Sequence, residues 1–180
     1  MKKEELQEIL VKNHADFTDF IKSLSDVVSR NSLPGKWTPL QQLDHIVKSV
    51  SPVKWAFTLP KFLLPLFFGR ANRQSRTYDE LVTKYKAKLQ AGGKSTARFL
   101  PDTSCDRFDL IKVLENRVQT LSNKINRFSE NELDEYILPH PLLGKITLRE
   151  MIYFTIYHVE HHHFQVNLNM ARSLANVAER

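Results

Sequence analysis

The segment Thr147-Leu-Arg-Glu-Met-Ile-Tyr-Phe-Thr-Ile-Tyr-His158-Val-Glu-His161-His162-His163-Phe-Gln165 carries both a helix start and four of the seven histidines of this 180-residue chain. Thr147 with Glu150 three positions later is a capping-box signature, which predicts a helix from Leu148 to about Ala175. On a helical wheel with His158 at 0°, the residues Leu148, Met151, Thr155, Val159, His162, Val166 and Ser173 fall between about 20° and 100°. His158 and His162 therefore belong to the core stripe. His161 falls near −60° and His163 near 140°, at the margins, so supporting or interfacial roles suit them better.

Residues 158 and 162 are one turn apart on one face, the spacing with which two imidazoles bind one divalent ion, although His158 with His161 is also possible. Two histidines in an apolar stripe need a metal, a hydrogen-bond partner or each other. A metal site needs at least a third ligand from elsewhere, and the candidates are His14, His45, His140, Asp44 and Glu160. His45 is not nominated by periodicity: Leu43, Ile46, Val50, Val53 and Phe57 centre on a direction about 120° away from it. A bundle helix contacts two neighbours, so a residue beside the main stripe can still face another helix.

Three more long amphipathic segments precede this one. Leu6, Ile9, Leu10, Phe17, Phe20, Ile21, Leu24 and Val28 recur at steps of three and four, predicting a helix from Lys3 to about Val28. Thr38 is placed as an N-cap with Pro39 at the first helical position, and that helix runs to about Trp55, with Pro52 a kink or stop. Asp106 caps a third long helix carrying Phe108, Ile111, Leu114, Val118, Leu121, Ile125 and Phe128 and stopping near Ser129. Asn131 to Lys145, with Pro139, Pro141 and Gly144, reads as a connecting loop. No run alternates as a strand would. The expected fold is all-α, a four-helix bundle in one domain over 1–180, with an irregular, partly helical excursion at about 59–104 in which Tyr78 to Leu89 forms a short helix.

The formal charge is +6, from 26 basic and 20 acidic residues, and all of the excess falls between Pro60 and Arg107, where ten basic residues meet four acidic ones. No helix-turn-helix, zinc-finger or aromatic RNA-binding signature accompanies it, so nucleic acid is an unfavoured partner. Arg70, Arg73 and Arg76 step every three residues and suggest a basic helical edge for an anionic substrate. Phe62-Leu-Leu-Pro-Leu-Phe-Phe68 is too short to span a membrane; a lid over the bundle mouth or a homodimer contact is its expected use. The single cysteine, Cys105, excludes an internal disulfide and a thiolate zinc cluster, reads as structural, and points to a reducing, cytoplasmic compartment. The charged start, Met1-Lys-Lys-Glu-Glu-Leu6, lacks the apolar core of a signal peptide.

Three stretches together, Trp37-Thr-Pro-Leu-Gln-Gln-Leu-Asp-His45-Ile, His140-Pro-Leu-Leu-Gly-Lys-Ile-Thr-Leu-Arg-Glu150 and His158-Val-Glu-His-His-His-Phe-Gln165, resemble in order and spacing the DinB/YfiT-like superfamily of four-helix metalloproteins. The resemblance implies a divalent metal, zinc or nickel, held by His45, His158 and His162. Three imidazoles leave an open coordination position. It also implies a metal-dependent hydrolase or a thiol-dependent transferase acting on a small molecule, with a low-molecular-weight thiol as an expected partner. Gln165, two turns past His158, is a candidate for orienting a ligand or substrate. The chain departs from the family pattern at His163-Phe164, where a basic-small pair is usual. A non-catalytic metal-binding module is the competing expectation.

Overall fold

A computed structural model describes residues 1–102 and 106–178. Four long helices form the bundle: α1 (Lys3–Ser23), α3 (Pro39–Thr58), α6 (Arg107–Ile125) and α8 (Leu148–Ala178). They close a ring in which α1 packs on α6, α6 on α3, α3 on α8 and α8 on α1. The apolar positions picked out by helical spacing fill its centre, among them Leu6, Phe17, Leu43, Phe57, Leu114, Leu121, Met151 and Val159. Leu24 and Val28 do not prolong α1, because Ser25 caps a separate helix, α2 (Asp26–Arg30), by accepting from the Val28 N–H. Thr38 and Gln41 form a reciprocal capping box at the start of α3, which runs through Pro52 to Thr58. Asp106 caps α6 as expected, by accepting from the Phe108 and Asp109 N–H groups.

The stretch from Asn131 to Lys145 is not a loop. It holds the end of α7 (Glu130–Glu135) and an antiparallel hairpin of β1 (Ile137–His140) and β2 (Gly144–Thr147). Each strand has only four residues and the turn between them contains Pro141, so no alternation long enough to signal a strand exists. The excursion after α3 is also more ordered than its glycines and prolines suggest. It contains α4 (Leu63–Phe68), α5 (Tyr78–Gln90), which lies along α8, and a 3₁₀ turn at Ala97–Phe99 against α3. Cys105 lies outside the described residues. Among those described, no helix is long and apolar enough to cross a membrane.

The three arginines of the excursion do not form a helical edge. The chain from Arg70 to Thr77 is irregular apart from a bridge between Arg70 and Tyr136. Arg73 and Arg76 turn inward to Glu150, and Arg70 pairs with Glu135. An inserted segment folding over a bundle must be attached to it, and these pairs fasten it to α7 and to the start of α8.

A candidate metal centre

The first half of α3 is buried almost all round: besides Leu40, Leu43, Ile46 and Val47, the polar Gln42, Asp44 and His45 are covered. Tertiary contacts supply the cover. Residues 94–102, a strap that includes the 3₁₀ turn, lie against α3, with Lys48 Nζ donating to the Leu100 carbonyl at 2.9 Å and the Asp102 N–H donating to Asp44 Oδ2 at 2.6 Å. His45, which lies to one side of the main apolar stripe, is thereby enclosed between the strap and α8.

His45 Nε2 stands 3.2 Å from His158 Nε2, and His162 Nε2 stands 3.0 Å from the same atom. One nitrogen from each of the three rings lies within 4.8 Å of the others. Ligand nitrogens at about 2.0–2.1 Å from a tetrahedral ion are about 3.3 Å apart, so these spacings approach one face of such a site.

The opposite ring nitrogens fix which atoms converge. His45 Nδ1 donates to the Phe99 carbonyl at 2.7 Å, and His162 Nδ1 donates to Gln42 Oε1. In the neutral ring each Nε2 then carries a lone pair aimed inward, the tautomer a metal requires. Burial holds all three imidazoles below their ordinary pKa, most strongly His158 and His162, where the neighbouring rings add to the effect. Neutral rings are available as ligands across the physiological range. Aromatic groups restrain them: Phe154 stacks on His158 at 4.8 Å, and Trp37 lies 5.0 Å from His45 and 6.2 Å from His162.

The other candidate ligands are engaged elsewhere. Asp44 pairs with Lys48, and Glu160 accepts from Asn13 and Tyr78. His14 donates to the Leu10 carbonyl within α1. His140 Nδ1 accepts the Leu142 and Leu143 N–H groups, both at 3.1 Å, which closes the hairpin turn and leaves the ring proton on Nε2. His161 lies beside the cluster, with its ring 5.3 Å from that of His162, and lines the neighbouring cavity. His163 packs away from the cluster, against Phe20 and Phe17 of α1. Gln165 is half-buried and makes no hydrogen bond to the three rings among the described residues. It follows His162 by nearly a turn and so has passed the centre.

The amide beside the site is Gln42, which the sequence reading did not single out. Its signal lies within the Trp37-to-His45 motif: three residues before His45, it occupies the next turn of the same side of the helix. The Phe99 carbonyl had no sequence signal, since any residue could supply it.

Over the histidines lies a cavity of about 930 Å³, walled by α3, α5, β1, α8 and the 94–99 strap. His45, His158, His161 and His162 contribute to its lining, together with Trp37, Tyr85, His140 and Phe154. Three imidazole nitrogens, two of them on rings whose outer nitrogens are occupied, opening on a cavity of that size, can hold a divalent ion and admit a small molecule to it.

Fold and site thus define a four-helix bundle protein with a three-histidine centre between its second and last long helices. The chain belongs to the DinB superfamily, whose family model matches residues 9–166. Among solved structures it is similar to YfiT from Bacillus subtilis, described as a probable metal-dependent hydrolase with an unusual four-helix bundle topology. That match has a TM-score of 0.65 at 16% identity and covers 96% of this chain and 87% of that one. TT2238, a four-helix bundle protein, matches with a TM-score of 0.57 at 13% identity, over 93% of this chain and 99% of that one. At such identities the likeness is one of fold. A comparison with curated proteins finds no match.

Proposed function

We propose that the chain is a metal-dependent enzyme in which His45, His158 and His162 hold a divalent ion, zinc or nickel, and that it acts on a small molecule by hydrolysis or thiol transfer. The observation that carries this reading is the convergence of three Nε2 atoms at a cavity, with Gln42 and the Phe99 carbonyl engaging the outer nitrogens of two of the rings. Bound there, the ion supplies Lewis acidity and an open position at which a weak nucleophile, water or a thiol, becomes reactive at neutral pH.

The protein's own groups do the rest. Gln42 and Phe99 keep the tautomers of His162 and His45 fixed, so those two rings need no reorientation when the site fills. Trp37, Phe154 and Tyr85 exclude bulk water from the rings. His140, held in the Nε2–H form by two backbone N–H groups, offers the cavity a neutral hydrogen-bond donor.

Metal analysis of tag-free protein tests the premise. About one equivalent is expected in the wild type and a large loss in His158→Ala and His162→Ala, whereas full occupancy in both variants overturns the ligand assignment. Turnover is tested by screening esters, amides and electrophiles, the last with several cellular thiols. Metal-dependent rates are expected with one class. Chelation that lowers thermal stability, with no rate in any assay, favours a structural metal instead.

A further inference from the structure

The cavity over the three histidines has two unlike parts. Its walls are apolar, with Trp37, Trp55, Phe68, Leu138, Met151 and Phe154 among the lining residues. Lys94 and Arg98 line it from the strap. These two cations differ from the basic residues that fasten the excursion to the bundle. Arg73 and Arg76 are committed to Glu150, Arg70 to Glu135 and Lys61 to Glu132. Lys94 and Arg98 are exposed, and among the described residues neither meets a carboxylate; Arg98 only lies over the Phe99 ring, at 5.8 Å.

Their position follows from the backbone. Gly92 turns the chain out of α5 at φ +87°, and a Cβ on Gly93 would come within 2.7 Å of the Lys88 carbonyl oxygen, so only glycine fits this close return. Lys94 follows directly. Four residues later Arg98 adjoins Phe99, whose carbonyl is bonded to His45. The strap that orients one of the histidines therefore also carries the two cations that line the cavity.

We infer that the site takes amphipathic monoanions: a carboxylate or similar head held by Lys94 and Arg98, with an apolar chain or ring lying against Trp37, Trp55 and Phe154. An arginine fork and an ammonium suit such a head, and the apolar wall suits a body that makes no demand for hydrogen bonds. Which end of the molecule reacts rests on the proposed metal site, but binding by these groups does not require the metal.

Chelator-treated protein is the sample for the test, so that no anion can be held by an ion. Octanoate, 1-octanol and octylammonium are titrated in turn, read by calorimetry and by the fluorescence of Trp37 and Trp55. Octanoate is expected to bind about tenfold more tightly than octylammonium, and Lys94→Gln with Arg98→Gln to abolish that preference without changing 1-octanol binding. Both side chains are exposed, so an unchanged thermal midpoint is expected for the double variant. Equal binding of the three ligands, no binding of octanoate, or a preference that survives the double substitution overturns the inference. A parallel zinc titration separates the two readings: zinc bound without octanoate sinks the substrate class alone, and octanoate bound without zinc sinks the metal site alone.

Discussion

Two buried polar clusters sit on α8, about two turns apart, and their hydrogen bonding is opposite in kind. Glu150 is fully buried, and its carboxylate is surrounded by donors: both Arg73 guanidinium nitrogens at 2.7 Å, the Arg76 N–H and side chain, and the Thr147 N–H. Burial alone would raise its pKa; the Arg73 hydrogen bonds and the backbone N–H groups override that and hold it below the ordinary carboxylate range. At the histidine cluster the donors of His162 and His45 point outward, to Gln42 and Phe99, and the lone pairs of His45 and His162 face His158. A polar cluster that is complete within the protein fixes the fold, whereas one that turns two lone pairs on a single third ring nitrogen leaves acceptor capacity for a ligand.

The contrast can be broken most directly at Glu150. Glu150→Gln leaves two guanidiniums without their counter-charge and should cost about 3–4 kcal/mol in urea unfolding, below the upper range for buried pairs because both arginines keep some contact with water. Metal content per folded molecule should be unchanged. A variant that kept its stability and lost its metal would reverse the roles assigned to the two clusters.

His14 is an intermediate case. Its Nδ1 donates to the Leu10 carbonyl at 2.8 Å, and its buried Nε2 has no partner among the described residues. Desolvation lowers its pKa from 6.5 to about 4, against the opposing pull of the Leu10 carbonyl. The unfolded chain therefore takes up the proton first as pH falls. Its contribution is complete above about pH 7 and is lost between about pH 6.5 and 4, amounting to about 3 kcal/mol. In His14→Gln, the loss of stability between pH 7 and 4 should shrink by about that amount. An unchanged slope would mean that His14 is not kept neutral in the folded protein. His140, lowered to about 4 by burial, contributes in the same window and the same direction in both proteins.

Gln42→Ala sharpens the contrast from the other side. Without its acceptor for His162 Nδ1–H, metal affinity should fall about 10- to 100-fold, with a smaller change in unfolding midpoint than Glu150→Gln gives. Unaltered affinity would remove Gln42 from the site. The smallest effect belongs to Arg70, which comes from the same stretch as Arg73 but forms its pair with Glu135 at the surface. Arg70→Ala should cost under about 1 kcal/mol, and a cost matching that of Glu150→Gln would show that exposure does not separate these arginines.

Much of this was legible in the chain. The caps at Thr38, Asp106 and Thr147 and the apolar spacing between them located three of the four long helices, because caps and amphipathic faces are local patterns. His158 and His162 shared the stripe that carries Val159 and Val166, and all four are buried. The apolar spacing runs on through Leu24 and Val28 and does not show the cap at Ser25, so periodicity predicts α1 longer than it is. The hairpin escaped because each strand is four residues, and its pairing joins residues from Ile137 to Thr147 across a proline-containing turn. The excursion's excess charge is plain in the sequence and its use is not, since a count of arginines does not say that Glu150, 77 positions beyond Arg73, receives two of them.

By itself the sequence determined four amphipathic helices, the i, i+4 histidine pair and, through its motifs, a resemblance that put His45 beside them. Helical periodicity depends only on neighbours within a turn or two, and a linear chain displays it fully. Only the tertiary structure decided that His45 is covered by a strap 54 residues later, that Gln42 and Phe99 set the tautomers, and that Arg73 and Arg76 are fastenings while Lys94 and Arg98 stand at a cavity. Those outcomes depend on contacts between segments far apart in the chain, and no local pattern specifies which partner a buried polar group will meet.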